Sequence, residues 1–156
     1  MSREFVAIAI MGIDQHENGA VAIARVLREA QMKVAYYGKF QTPASVAERA
    51  INDEADVVGI SCHSWEYLTL VPALIDELRN RGSDIPVVIG GSVITPGDEQ
   101  KMREAGVAAV FPTAMDGEKV IESVRSLSVE RRKSKSAKLN SIESKPRCGG
   151  RIDGRH

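Results

Sequence analysis

The chain is poor in aromatic residues: three Phe, three Tyr and one Trp make up 4% of its 156 residues. A core without large rings must be built from Ala, Val, Ile and Leu, which suits parallel strands buried on both faces by helices. Cysteine is nearly absent too. Cys62 and Cys148 stand far apart with no paired spacing, which excludes a disulfide framework and a zinc knuckle and leaves both as free thiols. No apolar run approaches the roughly 20 residues of a membrane span. Met1-Ser2-Arg3-Glu4 carries neither the basic stretch nor the cleavage site of a signal peptide, so the expected location is cytoplasmic.

Net charge is absent as well, with 21 basic and 21 acidic residues, but the balance hides an asymmetry. Residues 128–156 hold nine Lys or Arg against three Asp or Glu, while residues 1–127 hold 12 against 18. With 43% hydrophobic and 27% charged residues, the chain has the make-up of one soluble globular domain large enough to bury a core. The expected division is a folded domain over 1–127 and a basic, Ser- and Lys-rich disordered tail over 128–156. No aromatic interleaves with the tail's charges to stack a base, so no nucleic-acid partner is expected there.

What fills the first 127 residues is an alternation of strand-like and helix-like patterns. Phe5–Met11 is a continuous apolar run, and Val21, Ile23, Val26, Leu27 and Ala30 then recur at helical spacing across Gly19–Ala30. Met32–Tyr37 reads as a second strand. Thr42-Pro43 is a helix start, with Thr as N-cap and Pro at the first helical position, ahead of Ala44–Asn52. The strands Asp56–Cys62, Ile85–Ile89 and Val107–Phe111 follow, with helices Leu68–Arg81, Pro96–Ala105 and Asp116–Leu127. Five βα units with short loops predict an α/β three-layer sandwich around a doubly wound, five-stranded parallel sheet. The expected strand order is the flavodoxin-like 2-1-3-4-5.

Ligands of such sheets bind beyond the carboxyl ends of the strands. The loop there with most chemistry is Asp14-x-His16-x-x-Gly19. An Asp two residues before a His can accept a hydrogen bond from one ring nitrogen and leave the other for a metal. Gly19 opens the next helix without a side chain, so a bulky ligand can approach the backbone. Taken alone the triplet is also what a solvated loop histidine looks like. A simple divalent-metal site from Asp14, His16 and Glu17 is a further alternative.

The run Met11-Gly12-Ile13-Asp14-Gln15-His16-Glu17-Asn18-Gly19-Ala20 resembles the Asp-x-His-x-x-Gly loop of cobalamin-binding domains. Phe40-Gln41-Thr42-Pro43, Val57-Val58-Gly59-Ile60-Ser61, Leu68-Thr69-Leu70-Val71-Pro72 and Gly90-Gly91 are similar to segments of the methylmalonyl-CoA mutase C-terminal domain, in the same order, over residues 4–127. The resemblance implies that His16 displaces the corrinoid's own dimethylbenzimidazole and becomes the lower ligand of cobalt, with Asp14 behind it. It implies that Gly19 clears the path of the displaced nucleotide tail and that Ser61 hydrogen-bonds it. Gly90 and Gly91 would pass close beneath the tail or the corrin edge, and Phe111 would line the slot. Several residues depart from the family pattern: Ile10 stands where a Lys is common, His63 where a Leu is usual, and Trp65 and Glu66 where small residues are usual.

The function implied is the small, cobalamin-binding subunit of an adenosylcobalamin-dependent acyl-CoA mutase, an isomerase completed by a large subunit with the acyl-CoA-binding barrel. The alternative is a non-catalytic cobalamin carrier, sensor or regulatory module. Other enzymes and folds fit less well. Cys62 and His63 are adjacent on a strand end and point to opposite faces, which disfavours a thiol–imidazole pair. A receiver domain shares the strand order but needs an Asp after strand 3 and a Lys after strand 5, where this chain has Ser61-Cys62 and Phe111-Pro112. A phosphate-binding loop lacks its Lys-Ser or Lys-Thr.

Overall fold

The computed structural model describes residues 3–112 and 117–143. Five strands and five helices alternate: β1 (Phe5–Met11), α1 (Asn18–Glu29), β2 (Lys33–Gln41), α2 (Pro43–Asn52), β3 (Val57–Ser61), α3 (Tyr67–Asn80), β4 (Val87–Gly90), α4 (Pro96–Ala105), β5 (Ala109–Phe111) and α5 (Gly117–Glu143). The strands are all parallel in the order β2-β1-β3-β4-β5, as the sequence predicts.

Alternation along β1 divides the core in two. Ala7, Ala9 and Met11 face α2, α3 and α4, where Val46, Ala47, Val71, Leu74 and Met102 complete one layer. Val6, Ile8 and Ile10 face α1 and α5, where Ala20, Ala24, Leu27, Val120 and Val124 complete the other. Ile10, where the resembled family commonly carries Lys, is fully buried in this second layer. A lysine there would need a partner that this layer does not offer.

Thr42 caps α2 as expected. The Ser45 N–H donates to Thr42 Oγ1 at 3.0 Å, and the Thr42 N–H donates back to Ser45 Oγ at 2.9 Å. Strand β2 runs four residues past its expected end at Tyr37. Gly38 at φ +90° and Phe40 at φ +61° bend the strand, and its register with β1 slips between Ile8 and Met11. The bulge carries pairing on to Gln41 and leaves Phe40 exposed at the sheet's carboxyl end.

One expectation fails at the other boundary. The last helix does not stop at Leu127 before a disordered tail; α5 continues to Glu143. No Gly or Pro interrupts residues 118–143, and Val120, Val124, Ser128 and Arg131 recur on one face. That face stays against the sandwich to the amino ends of the strands. Arg132 there donates to both carboxylate oxygens of buried Asp56, at 3.2 and 2.8 Å, and to the Arg3 carbonyl. Asp56 also accepts the Phe5 N–H at 2.8 Å, and Arg131 pairs with Asp84 at 3.5 Å. Hydrogen bonding to Asp56 raises the Arg132 pKa above its ordinary value, so the guanidinium keeps its charge. Composition marked the segment as solvated, but its first arginines have buried or half-exposed carboxylate partners. The rest of the expected tail, with Cys148, lies outside the described residues.

Candidate cofactor site

The loop between β1 and α1 is pinned on three sides. Its first residue, Gly12, has φ +75°, and a Cβ there would overlap the Glu66 carboxylate. That carboxylate accepts the Ile13 N–H at 3.0 Å, while the Gly12 N–H donates to the Gln41 carbonyl at 2.9 Å. Glu17 closes the loop, accepting the Tyr36 hydroxyl at 2.9 Å and lying 3.5 Å from Lys39 Nζ. Glu17 therefore turns away from Asp14 and His16. Among the described residues no three His, Cys, Asp or Glu side chains cluster to hold a metal, so the divalent-metal alternative has no site there.

Asp14 is buried between these fixed points. Its Oδ1 accepts the backbone N–H of His16 at 3.0 Å and the ring Nδ1 of His16 at 2.8 Å, and its Oδ2 accepts the His63 N–H at 2.8 Å. Burial pushes the carboxyl pKa up, but the donors of His16 and His63 outweigh it, and the net shift is downward. An ionised carboxylate against Nδ1 places the ring proton on that nitrogen. Nε2 is left with its lone pair, on a side chain that is 70% exposed.

Below His16 a cavity of about 200 Å³ opens between the sheet and helices α1 and α5. Its depth is lined by Val6, Ile8, Leu27, Val88 and Val124, so its walls are apolar. Gly19, Ser61, Gly90, Gly91 and Phe111, five residues singled out from the sequence, all line it. Asp14 and His16 are not part of its lining, but the His16 ring lies 5.4 Å, centroid to centroid, from that of His63, which is. The seven residues thus come together, although they derive from four separate βα junctions.

The glycines differ in what they do. A Cβ on Gly91 would overlap the Cys62 carbonyl, and its φ of +154° disfavours any side chain, so glycine is required for the chain to cross there. The crossing is fixed by the Cys62 N–H on the Gly90 carbonyl at 2.7 Å and the Gly91 N–H on the Phe111 carbonyl at 3.1 Å. At Gly90 a Cβ would make ordinary contacts, so that residue is open to substitution on steric grounds.

The sequence marks Glu66 and His63 only as departures from the family pattern and assigns neither a role. Glu66 fixes the histidine loop, and His63 lines the cavity with its ring 5.4 Å from that of His16, centroid to centroid. The signal for His63 was the strand alternation that puts residues 61 and 63 on one face. Cys62 takes the opposite face, buried against α3, and burial together with the Asp14 charge pushes its thiol up to about 12. It is an inert core residue, as the adjacency argument expected.

The family described as B12 binding domain matches residues 6–124. The chain belongs to this family. A related protein is the 2-hydroxyisobutanoyl-CoA mutase small subunit of Aquincola tertiaricarbonis, 37% identical over 122 residues, which are 78% of this chain and 90% of that one. The methylmalonyl-CoA mutase large subunit of Streptomyces virginiae is 40% identical over 110 residues, 70% of this chain, and the match spans only 15% of its length. Among solved structures, a cobalamin-binding protein from Desulfitobacterium hafniense superposes with a TM-score of 0.69 at 20% identity, covering 78% of this chain and 59% of the other. The receiver domain of NarL from Mycobacterium tuberculosis also superposes, with a TM-score of 0.65 at 13% identity, over 82% of this chain and 98% of the other. These two likenesses establish the fold alone. Family membership and the matching small subunit make this a B12-binding domain of the acyl-CoA mutase lineage.

Proposed function

We propose that this B12-binding domain is the cobalamin-carrying small subunit of an adenosylcobalamin-dependent acyl-CoA mutase, with His16 as the lower cobalt ligand. The observation that carries the reading is the Asp14–His16 pair beside an apolar cavity, joined to its lining through His63. The residues fit the cofactor. A neutral imidazole backed by a carboxylate is a strong nitrogen donor for cobalt. A cavity of about 150 Å³ takes benzene, so one of about 200 Å³ has room for a larger flat heterocycle. The neck above it is kept open by Gly19, where a Cβ would fall 3.1 Å from His63 Nε2.

When bound, adenosylcobalamin supplies a cobalt–carbon bond whose homolysis starts a radical rearrangement. This chain's share is to hold and orient. Asp14 fixes the His16 ring and its proton, Glu66 and Glu17 fix the loop, and the apolar walls take the displaced base. Ser61, half-buried in the wall, is a donor for the displaced tail.

The rearranged acyl-CoA requires a second chain, the large subunit with the substrate barrel. His16 would hold the cofactor at the carboxyl end of the sheet, so the large subunit would have to cover that end to bring the substrate to it. Phe40, Ile13 and Trp65 are exposed there by 56%, 74% and 61%, on the ends of β2, β1 and β3, which are neighbours in the sheet. Three large apolar side chains beside the ligand loop suit a protein partner better than water. Trp65 is the single tryptophan. Its emission is expected to shift to the blue when the large subunit binds; an unchanged emission in a proven complex places the interface elsewhere.

The test of the ligand is electron paramagnetic resonance of the protein labelled with nitrogen-15 at histidine and loaded with cob(II)alamin carrying ordinary dimethylbenzimidazole. Nitrogen-15 coupling on cobalt is expected, and its loss in His16→Ala. Nitrogen-14 coupling in the unsubstituted protein would sink the reading.

A further inference from the structure

The cavity is apolar in depth, and the polar side chains of its lining are Ser61, His63 and Ser92. His63 Nε2 lies 3.1 Å, and Ser61 Oγ 3.6 Å, from the same point in space, the position a Cβ on Gly19 would take. Both side chains are half-buried, and no hydrogen bond within the described residues engages either the His63 ring nitrogens or Ser61 Oγ. The backbone of His63 is itself fixed, through its N–H on Asp14 Oδ2. Two donors thus converge over a bare glycine at the place where anything tethered to the corrin must enter.

In a corrinoid tail that entered base first, the phosphodiester between the linker and the ribose would stand nearest the neck, with the base beyond it in the apolar depth. The carboxylates near the neck are turned away or covered by donors. The first turn of α1 has no acidic residue and no side-chain cap, and Glu17 ahead of it is turned to Tyr36 and Lys39. Asp14, the nearest carboxylate, is already covered by three donors. A hydrogen bond from an imidazole N–H to a phosphate oxygen is of the charge-assisted kind, and is stronger than one to a neutral acceptor.

We propose that His63 holds the tail phosphate of the bound corrinoid at this neck, a contact that a leucine in its place cannot make. The inference rests on the reading that the tail is displaced into the cavity by His16. His63 adds affinity for corrinoids that carry the phosphate, and none for those that lack it.

The experiment measures dissociation constants of three Co(II) probes, cobinamide, cobinamide phosphate and cobalamin, for the unsubstituted protein and for His63→Leu. The substitution is expected to weaken cobinamide phosphate and cobalamin each by about tenfold and to leave cobinamide unchanged. His63→Gln, which restores a donor of similar reach, is expected to recover most of the loss, and it separates the lost contact from misfolding. Equal weakening of all three probes overturns the proposal, since His63 then acts through His16 or the fold. Weakening of cobalamin alone also overturns it, because the contact is then to sugar or base. No weakening of any probe overturns it as well. Failure of the underlying reading shows separately, as cobalamin bound without histidine coupling in the unsubstituted protein.

Discussion

Among the described residues two aspartates are buried, one at each end of the sheet, and they have opposite kinds of partner. Asp56, at the amino end, takes a backbone N–H and the guanidinium of Arg132. Asp14, at the carboxyl end, takes two backbone N–H groups and an imidazole N–H. Guanidinium has no lone pair and spends its donors on Asp56 and the Arg3 carbonyl, so the network closes on itself. Imidazole keeps a second nitrogen on its far side, so the network ends in an unused lone pair directed outward. The lesson is that a buried carboxylate becomes part of a binding site through the partner it fixes.

The surroundings follow the same division. Around Asp56 the helix α5 and both chain segments, near Arg3 and Phe5, are drawn together over a long sequence separation. Around Asp14 there are glycines, exposed apolar side chains and a cavity. The comparison is tested hardest at the closed end. Asp56→Ala leaves Arg132 and the Phe5 N–H without their acceptor; breaking a buried pair costs about 3–5 kcal/mol, and because Arg132 is about one-third exposed, about 2–3 kcal/mol is expected here. The melting temperature should fall by roughly 2–4 °C for each kcal/mol in a chain of this size. Cobalamin affinity of the protein that remains folded should be unchanged. A parallel loss of affinity, by titration well below the melting temperature, would break the comparison, because the two ends would then act as one.

The fold was legible because its signals are local. The apolar runs at β1 and β3, the Thr42-Pro43 start and the Gly106 stop each follow from a few adjacent residues, and α4 agrees with its expected bounds at both ends. Strand ends and one loop motif pointed to Gly19, Ser61, Gly90, Gly91 and Phe111, which line the cavity, and to Asp14 and His16, which pair beside it. What the sequence hid depends on partners far along the chain. Arg132 is helical and anchored because Asp56 lies 76 residues before it, and composition alone cannot distinguish that from a solvated arginine. Glu66 meets Ile13 across 53 residues, so its role in the ligand loop had no local mark. Strand β2 ran long for a related reason, since an edge bulge at Gly38 is decided by the neighbouring strand.

The smaller effect is expected at the open end, where Asp14→Asn changes one atom in the network. An amide offers one acceptor and two donors, whereas the carboxylate accepts from three N–H groups. If the amide oxygen faces His16, its NH2 meets the His63 N–H, donor against donor. If it faces His63, the NH2 meets the two donors of His16, and the ring is released. Either orientation weakens the hold on Nδ1 while leaving the core layers intact. Substitution of such a partner behind a ligating histidine typically costs 10–100-fold in affinity, and about that is expected for cobalamin by titration. Histidine coupling on cobalt should persist at saturating ligand, which separates a loosened ligand from a lost one. Unaltered affinity would put Asp14 in the same class as Asp56, a carboxylate that ties the fold and does nothing for the site.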